Sequence, residues 1–420
     1  MRGIPASWVL IGDGETPPLR DGAVVVDARG VVFGVGLASE LRAEFPGARW
    51  DAPRSAVLMP GLVNAHTHLE LSALRGDVPG GDGFVPWVRQ MVSLRAERGA
   101  DGDEESIGEA VAELVRAGTA AVGEVSNSLA SVSSLAQAPL VARVFAEVFG
   151  LTRLAADVML GMARERIAEL GALPVNVSVT LAPHTPFSLH PAVFEAICVE
   201  ARAAGARTSV HLAEHDAERA FLRDGTGPFL EFLSARTAHP ADWAPPGLDP
   251  VRYARSRGAL GPHALAVHLT DARPDELALL VETNTPVVLC PRSNWHIERR
   301  VPPLEGMLAA GLRPGLGTDS LASSPSLDVL AEARALRARF PAVPARALVA
   351  MATSWGARAL GVEALVGRLA TGLAPGVLAL AHASGAAPDD PEEYVLLERA
   401  DAREVLVAPG RTLAARGASQ

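Results

Sequence analysis

The chain reads as an α/β protein: a (β/α)8 TIM-type barrel over residues 58–361, with a small β-sandwich domain built from both chain ends, residues 1–57 and 362–420. Three observations lead there. Apolar strand-like runs alternate with Ala/Arg/Glu-rich helical stretches through the middle of the chain. Eight such runs can be counted. Polar residues, mostly histidines and carboxylates, gather where the runs stop, and the C-terminal strand ends are where such barrels carry their chemistry. A doubly wound open sheet gives no reason for that placement.

Residues 8–57 hold short β-rich runs such as Ala23-Val24-Val25-Val26 and Val31-Val32-Phe33, separated by Asp-Gly and Arg-Gly turns. From Leu58 onward the candidate strands end at His66/His68, Gly123-Glu124, Phe145-Glu147, Pro183-His184, His211, His268, Cys290-Pro291 and Thr318-Asp319. A Pro-rich, aromatic insertion at 239–258, between the fifth and sixth strands, reads as a long loop. Beyond Gly361 the pattern returns to short β runs at 377–380, 394–397 and 405–407, which complete the N-terminal β domain.

With 420 residues and 49% hydrophobic content, the chain can fill the core of one large domain plus a satellite. Its net charge of -10 argues against a nucleic-acid or anionic-membrane partner and for a small-molecule substrate. Cys198 and Cys290, the two cysteines, are far apart and outside any CxxC pattern, so neither a disulfide framework nor a thiolate metal site is expected. No run reaches the roughly 18 apolar residues of a membrane span, and no leader pattern opens the chain; the cytoplasm is the expected compartment. There is no lysine, so all 38 basic residues are arginine.

The densest chemical signal is Met59-Pro60-Gly61-Leu62-Val63-Asn64-Ala65-His66-Thr67-His68. On a strand, histidines spaced i, i+2 point to one face and can grip one ion. His211 and His268 close two later strands and Asp319 follows another. Imidazoles with one carboxylate suit zinc or ferrous iron rather than calcium or magnesium, which prefer oxygen shells.

The order HxH, His, His, Asp resembles the barrel ligands of the amidohydrolase superfamily, and the resemblance spans nearly the whole chain. Many binuclear members bridge two metals with a carboxylated lysine, which this chain lacks. The resemblance therefore implies one divalent metal per chain, zinc or else iron, or a binuclear site bridged by another acid such as Glu124 or Glu147. It implies His66, His68, His211 and Asp319 as ligands.

His211-Leu212-Ala213-Glu214 resembles the HxxE element of the adenosine, guanine and S-adenosylhomocysteine deaminases, in which the Glu shuttles protons. On that resemblance, water activated at the metal attacks the amine-bearing ring carbon. Asp319 accepts its proton, Glu214 serves the ring nitrogen and leaving amine, and His268 orients the attacking oxygen.

Further segments narrow the resemblance: His66-Thr67-His68-Leu69-Glu70-Leu71-Ser72, Gly83-Phe84-Val85-Pro86-Trp87 and Cys290-Pro291-Arg292-Ser293-Asn294 are similar to the aminodeoxyfutalosine deaminases. That family removes the adenine amine of 6-amino-6-deoxyfutalosine on a route to menaquinone. Substrate contacts are then expected from Glu70, Trp87 and His184, with Arg75, Arg153 or Arg292 for the benzoate carboxylate. His190, His215, His239, His263 and His382 read as surface or capping residues. Family members are often homodimers. The alternatives are a methylthioadenosine, S-adenosylhomocysteine or guanine deaminase, a chlorohydrolase using the same metal, and a non-catalytic scaffold on a hydrolase fold.

Overall fold

The computed structural model describes residues 1–98, 103–235, 243–383, 385–397 and 403–410. At its centre are the strands β1 (Leu62–Thr67), β2 (Thr119–Ser126), β3 (Val141–Val148), β4 (Val177–Pro183), β5 (Thr208–Leu212), β6 (Ala264–His268), β7 (Val287–Leu289) and β8 (Gly315–Leu316). They pair in parallel as two four-stranded sheets, β4-β3-β2-β1 and β5-β6-β7-β8. Strands β1, β2 and β5 are buried at every position, as expected where a sheet is covered on both faces.

Two seams join the sheets into a ring. At one, the backbone N–H groups of Thr318 and Asp319 donate to His66 O at 3.0 and 3.1 Å. At the other, the His211 N–H donates to His184 O at 3.0 Å. The first seam needs Gly317, because a Cβ there would lie 2.6 Å from His66 Cβ. These seams bring His66, Asp319, His184 and His211 to one end of the barrel. The fold is of the TIM-barrel type.

The connecting helices follow from their sequences. Glu104–Arg116 starts at Asp103, whose side chain accepts from the Glu105 N–H, and buries Ile107, Ala110, Val111 and Leu114 at helical spacing. Pro191–Ala203 starts at His190, whose ring accepts from the Ala192 N–H, with Pro191 opening the helix. His190 is thus a capping residue.

The chain ends pair with each other. Val377–Ala381 runs antiparallel to Arg54–Pro60, with Leu378 opposite Met59. The path continues through Arg2–Val9, Gly22–Val26 and Val32–Leu37 on one side and Arg403–Val407 on the other. Among the described residues no helix is long and apolar enough to cross a membrane.

Two expectations are corrected. The run at 394–397 is not a strand: Pro391–Val395 is helical, because Asp390 accepts from the Glu392 and Glu393 N–H groups and Pro391 opens the turn. That capping signal outweighs the β preference of Tyr394 and Val395. Likewise, 239–258 is not loop throughout, since Asp249-Pro250 begins the helix Pro250–Ser256. His239 lies outside the described residues.

Candidate active site

His66 and His68 leave β1 toward the barrel mouth, where His211 from β5, His268 from β6 and Asp319 after β8 meet them. His68 Nε2 and His211 Nε2 are 3.2 Å apart. Asp319 Oδ1 lies 3.6 Å from His68 Nε2 and 3.9 Å from His66 Nε2. The ligand atoms of His66, His68 and Asp319 fall within 4.8 Å of one another, as do those of His66, His211 and His268. His66 Nε2 is buried and makes no hydrogen bond.

Facing imidazole nitrogens can share at most one proton, and a buried nitrogen without a partner is costly. A cation at their convergence satisfies them together, so the donor set fits a divalent ion. Burial, reinforced by the neighbouring imidazoles, holds His66 well below the usual histidine range, and burial likewise lowers His68. Both are therefore in the neutral form that metals require.

The outer atoms of these groups are also held. His211 Nδ1 is 3.2 Å from His184 O and 3.5 Å from Glu147 Oε1, which directs its Nε2 inward. Asp319 Oδ2 accepts from Ser293 Oγ at 2.5 Å and Ser323 Oγ at 3.1 Å, leaving Oδ1 toward the histidines. Ala213, His268, Leu269 and Asp319 all have positive φ, between +47° and +75°. Non-glycine residues adopt this conformation at a cost of about 1–3 kcal/mol each. Its concentration here shows that the surrounding packing fixes the side-chain directions.

Glu214 follows Ala213 and precedes helix α1 (Asp216–Asp224). Its Oε1 is 3.5 Å from His268 Nδ1 and its Oε2 is 3.2 Å from His215 Nε2. Although burial pushes the other way, His215 and His268 hold this carboxyl far below its ordinary range. His215, expected as a surface or capping residue, stands at the N-cap position of α1 without a side-chain cap bond, and it is not on the surface. It is 1% exposed, and its Nδ1 lies 2.9 Å from Glu298 Oε1. Burial opposes its charge, but Glu214 and Glu298 prevail and push it up to about 10. Its adjacency to Glu214 was the available sequence signal. The distant partner Glu298 had none.

A cavity of about 360 Å³ opens onto these groups. Glu147, His184, Glu214, His268 and Asp319 line its polar floor. Its wall is apolar, including Phe84, Trp87, Met91, Phe149 and Phe187. Trp87 belongs to helix α2 (Phe84–Arg98), whose lining residues Phe84, Trp87, Val88, Met91, Val92 and Arg95 lie on one face. His184 Nδ1 is 2.7 Å from Ser188 Oγ, and burial brings the ring down to about 4.

Four expected substrate contacts do not line the cavity. Arg75 is bonded to Glu113 at 2.5 Å, and Arg153 to Asp157 at 2.7 Å. Arg292 is turned to Glu332, with Nε to Oε1 at 3.3 Å, and to Ser324 and Ser326. Glu70 is buried, accepting from Asn127 N and Ser128 N at 3.1 and 2.8 Å. Arg95 does line the cavity, and its Nη2 lies 3.7 Å from Glu70 Oε2. Of the two acids considered as bridges, Glu124 accepts from Leu69 N at 3.0 Å, while Glu147 sits with His184 and His211 in a further potential ligand group.

Residues 57–392 match the model of the amidohydrolase family. The chain belongs to that family. It is 31% identical over 364 residues to an aminodeoxyfutalosine deaminase of Deinococcus radiodurans, covering 84% of this chain and 83% of the relative. To a 5-methylthioadenosine/S-adenosylhomocysteine deaminase of Moorella thermoacetica it is 30% identical over 382 residues, covering 86% and 82%. The crystal structure of Helicobacter pylori aminofutalosine deaminase in complex with methylthio-coformycin superposes with a TM-score of 0.84 at 24% identity, covering 94% of this chain and 95% of that one. At that identity the likeness is one of fold. As an amidohydrolase with deaminase relatives, the chain is a hydrolase of carbon–nitrogen bonds.

Proposed function

We propose that this amidohydrolase deaminates an adenine-type nucleoside, converting 6-amino-6-deoxyfutalosine and water to futalosine and ammonia. The observation that carries the reading is Glu214, a buried carboxylate on the cavity floor, 3.5 Å from His268 and beside the imidazole cluster. A hydrolase that expels no amine has less need for such a proton carrier.

His66, His68 and His211 through Nε2, with Asp319 through Oδ1, would hold one divalent ion, for which zinc suits the donors best. When bound, the ion makes a water nucleophilic at neutral pH. Glu214, ionised at the outset, takes one proton of the attacking water and passes it to the ring nitrogen; Asp319 takes the other, which Glu214 relays to the departing amine, so that both water protons end on the products and the amine leaves as ammonia. His268 orients the attacking oxygen and stabilises the charge that develops on it. His184 meets the base, while Trp87 and the other wall aromatics exclude water around it.

For a benzoate carboxylate, position favours Arg95 over Arg75, Arg153 and Arg292, because it lies on the cavity wall and they do not. The apolar wall equally suits a methylthio group, which supports methylthioadenosine as a second reading. This reading takes residues 58–361 as the catalytic barrel, 1–57 with 362–420 as a small β-sandwich domain, the cytoplasm as compartment and a homodimer as the assembly.

Ammonia release by zinc-loaded protein, measured across aminodeoxyfutalosine, S-adenosylhomocysteine, methylthioadenosine, adenosine and guanine, tests the assignment. Preference for aminodeoxyfutalosine is expected. Preference for methylthioadenosine would move the substrate, and no release from metal-bound protein would overturn the deaminase reading.

A further inference from the structure

We propose that His215 is a positioning residue for Glu214: clamped between Glu214 and Glu298, its buried ring holds the proton carrier against the cavity and links it to the α2 wall. The proposal rests on Glu214 carrying protons, as argued above. His215 Nε2 lies 3.2 Å from Glu214 Oε2 and Nδ1 lies 2.9 Å from Glu298 Oε1, so its two nitrogens sit at ion-pair distance from different carboxylates, with hydrogen-bond alignment at neither. Phe84 covers the ring at a centroid distance of 4.0 Å. Glu298 in turn accepts from the Phe84 N–H at 3.3 Å, at the start of α2.

This places titratable groups on several sides of the ring: Glu214, Glu298, His268 beyond Glu214, and Glu218, whose Oε2 accepts from Glu214 N at 3.0 Å. A cation between two acids fixes both, whereas a neutral ring would leave buried Glu214 and part-buried Glu298 without its charge. The raised proton affinity of His215 agrees with the charged form.

A second relation supports a positioning role. Helix α3 (Pro291–Glu298) carries Ser293, which donates to Asp319; Asn294, whose Nδ2 is 3.1 Å from His268 Nδ1; and Glu298, which faces His215. Asn294 and Glu298 are one turn apart, so one helix face backs His268 directly and Glu214 through His215.

The test uses full-length zinc-loaded His215→Phe, His215→Gln and Glu298→Gln, with Glu214→Gln as control, on the nucleoside the wild type accepts best. His215→Phe should lower kcat by about 30-fold, with KM within about threefold and zinc content unchanged. His215→Gln, which keeps an N–H toward Glu214, should recover about a third or more of that loss on a logarithmic scale. Should His215→Phe fold poorly, Glu298→Gln carries the test, with an expected kcat loss of about fivefold at constant KM. Unchanged kcat in the folded His215 variants or in Glu298→Gln would overturn the proposal, as would loss of zinc in step with activity. If Glu214→Gln is fully active, the deaminase mechanism itself falls; if it is inactive while His215→Phe is unimpaired, only this inference falls.

Discussion

Ser293 Oγ donates to Asp319 Oδ2 at 2.5 Å, and this bond decides which carboxylate oxygen faces the imidazoles. With Ser323 Oγ also donating to Oδ2 at 3.1 Å, Oδ1 is left for a cation. Partners of this kind affect metal affinity about 10- to 100-fold. Ser293→Ala should therefore weaken zinc binding by about tenfold while the loaded enzyme keeps most of its activity. Competition against a chelator measures this, and unchanged affinity would remove Ser293 from the support of the site.

Stripping the metal should abolish ammonia release and lower the thermal midpoint, because four converging donors lose their common partner. One equivalent of zinc should restore both. Restoration that requires two equivalents would instead point to a second ion at Glu147, His184 and His211, a further group with convergent ligand atoms among the described residues.

Two arginines should separate binding from stability. Arg95→Ala is expected to raise KM for aminodeoxyfutalosine about tenfold and leave that for methylthioadenosine within about twofold. Arg292→Ala should leave both KM values alone but cost about 3 kcal/mol of stability, since Glu332 loses its charge partner inside the protein. Steady-state kinetics and denaturant unfolding distinguish the pair. A selective KM effect in Arg292→Ala would reverse the assignment.

Glu218 links stability to pH. Burial pushes its carboxyl up to about 8, and its Oε1 is buried without a hydrogen-bond partner. A group whose folded pKa is raised contributes stability that is full below the unfolded value, here 4.5, and is lost as pH rises through about 8. Stability should thus fall between those limits, and Glu218→Gln should flatten the fall and be the more stable protein at pH 9. A parallel pH profile for wild type and variant would count against this account.

The strand ends and the HxH, His, His, Asp order were legible because each depends on residues within a few positions of one another: apolar runs, a two-residue spacing, a polar stop. The corrections have two origins. Tyr394 and Val395 lie in a helix because Asp390 and Pro391 start one, a local signal that outcompetes β preference. His215 was misplaced because its environment depends on Glu298, far along the chain.

By itself, then, the sequence determined the barrel periodicity, the polar residues at strand ends, the absence of a lysine bridge and the proximity of Glu214 to His211. Tertiary structure alone decided which charges face which. Arg75, Arg153 and Arg292 were equivalent as sequence, yet each is turned to an acid away from the cavity while Arg95 lines it. The physical reason is that strand and helix periodicity is set by backbone geometry over short spans, whereas ion pairing depends on through-space distance and burial, which exist only once the barrel closes.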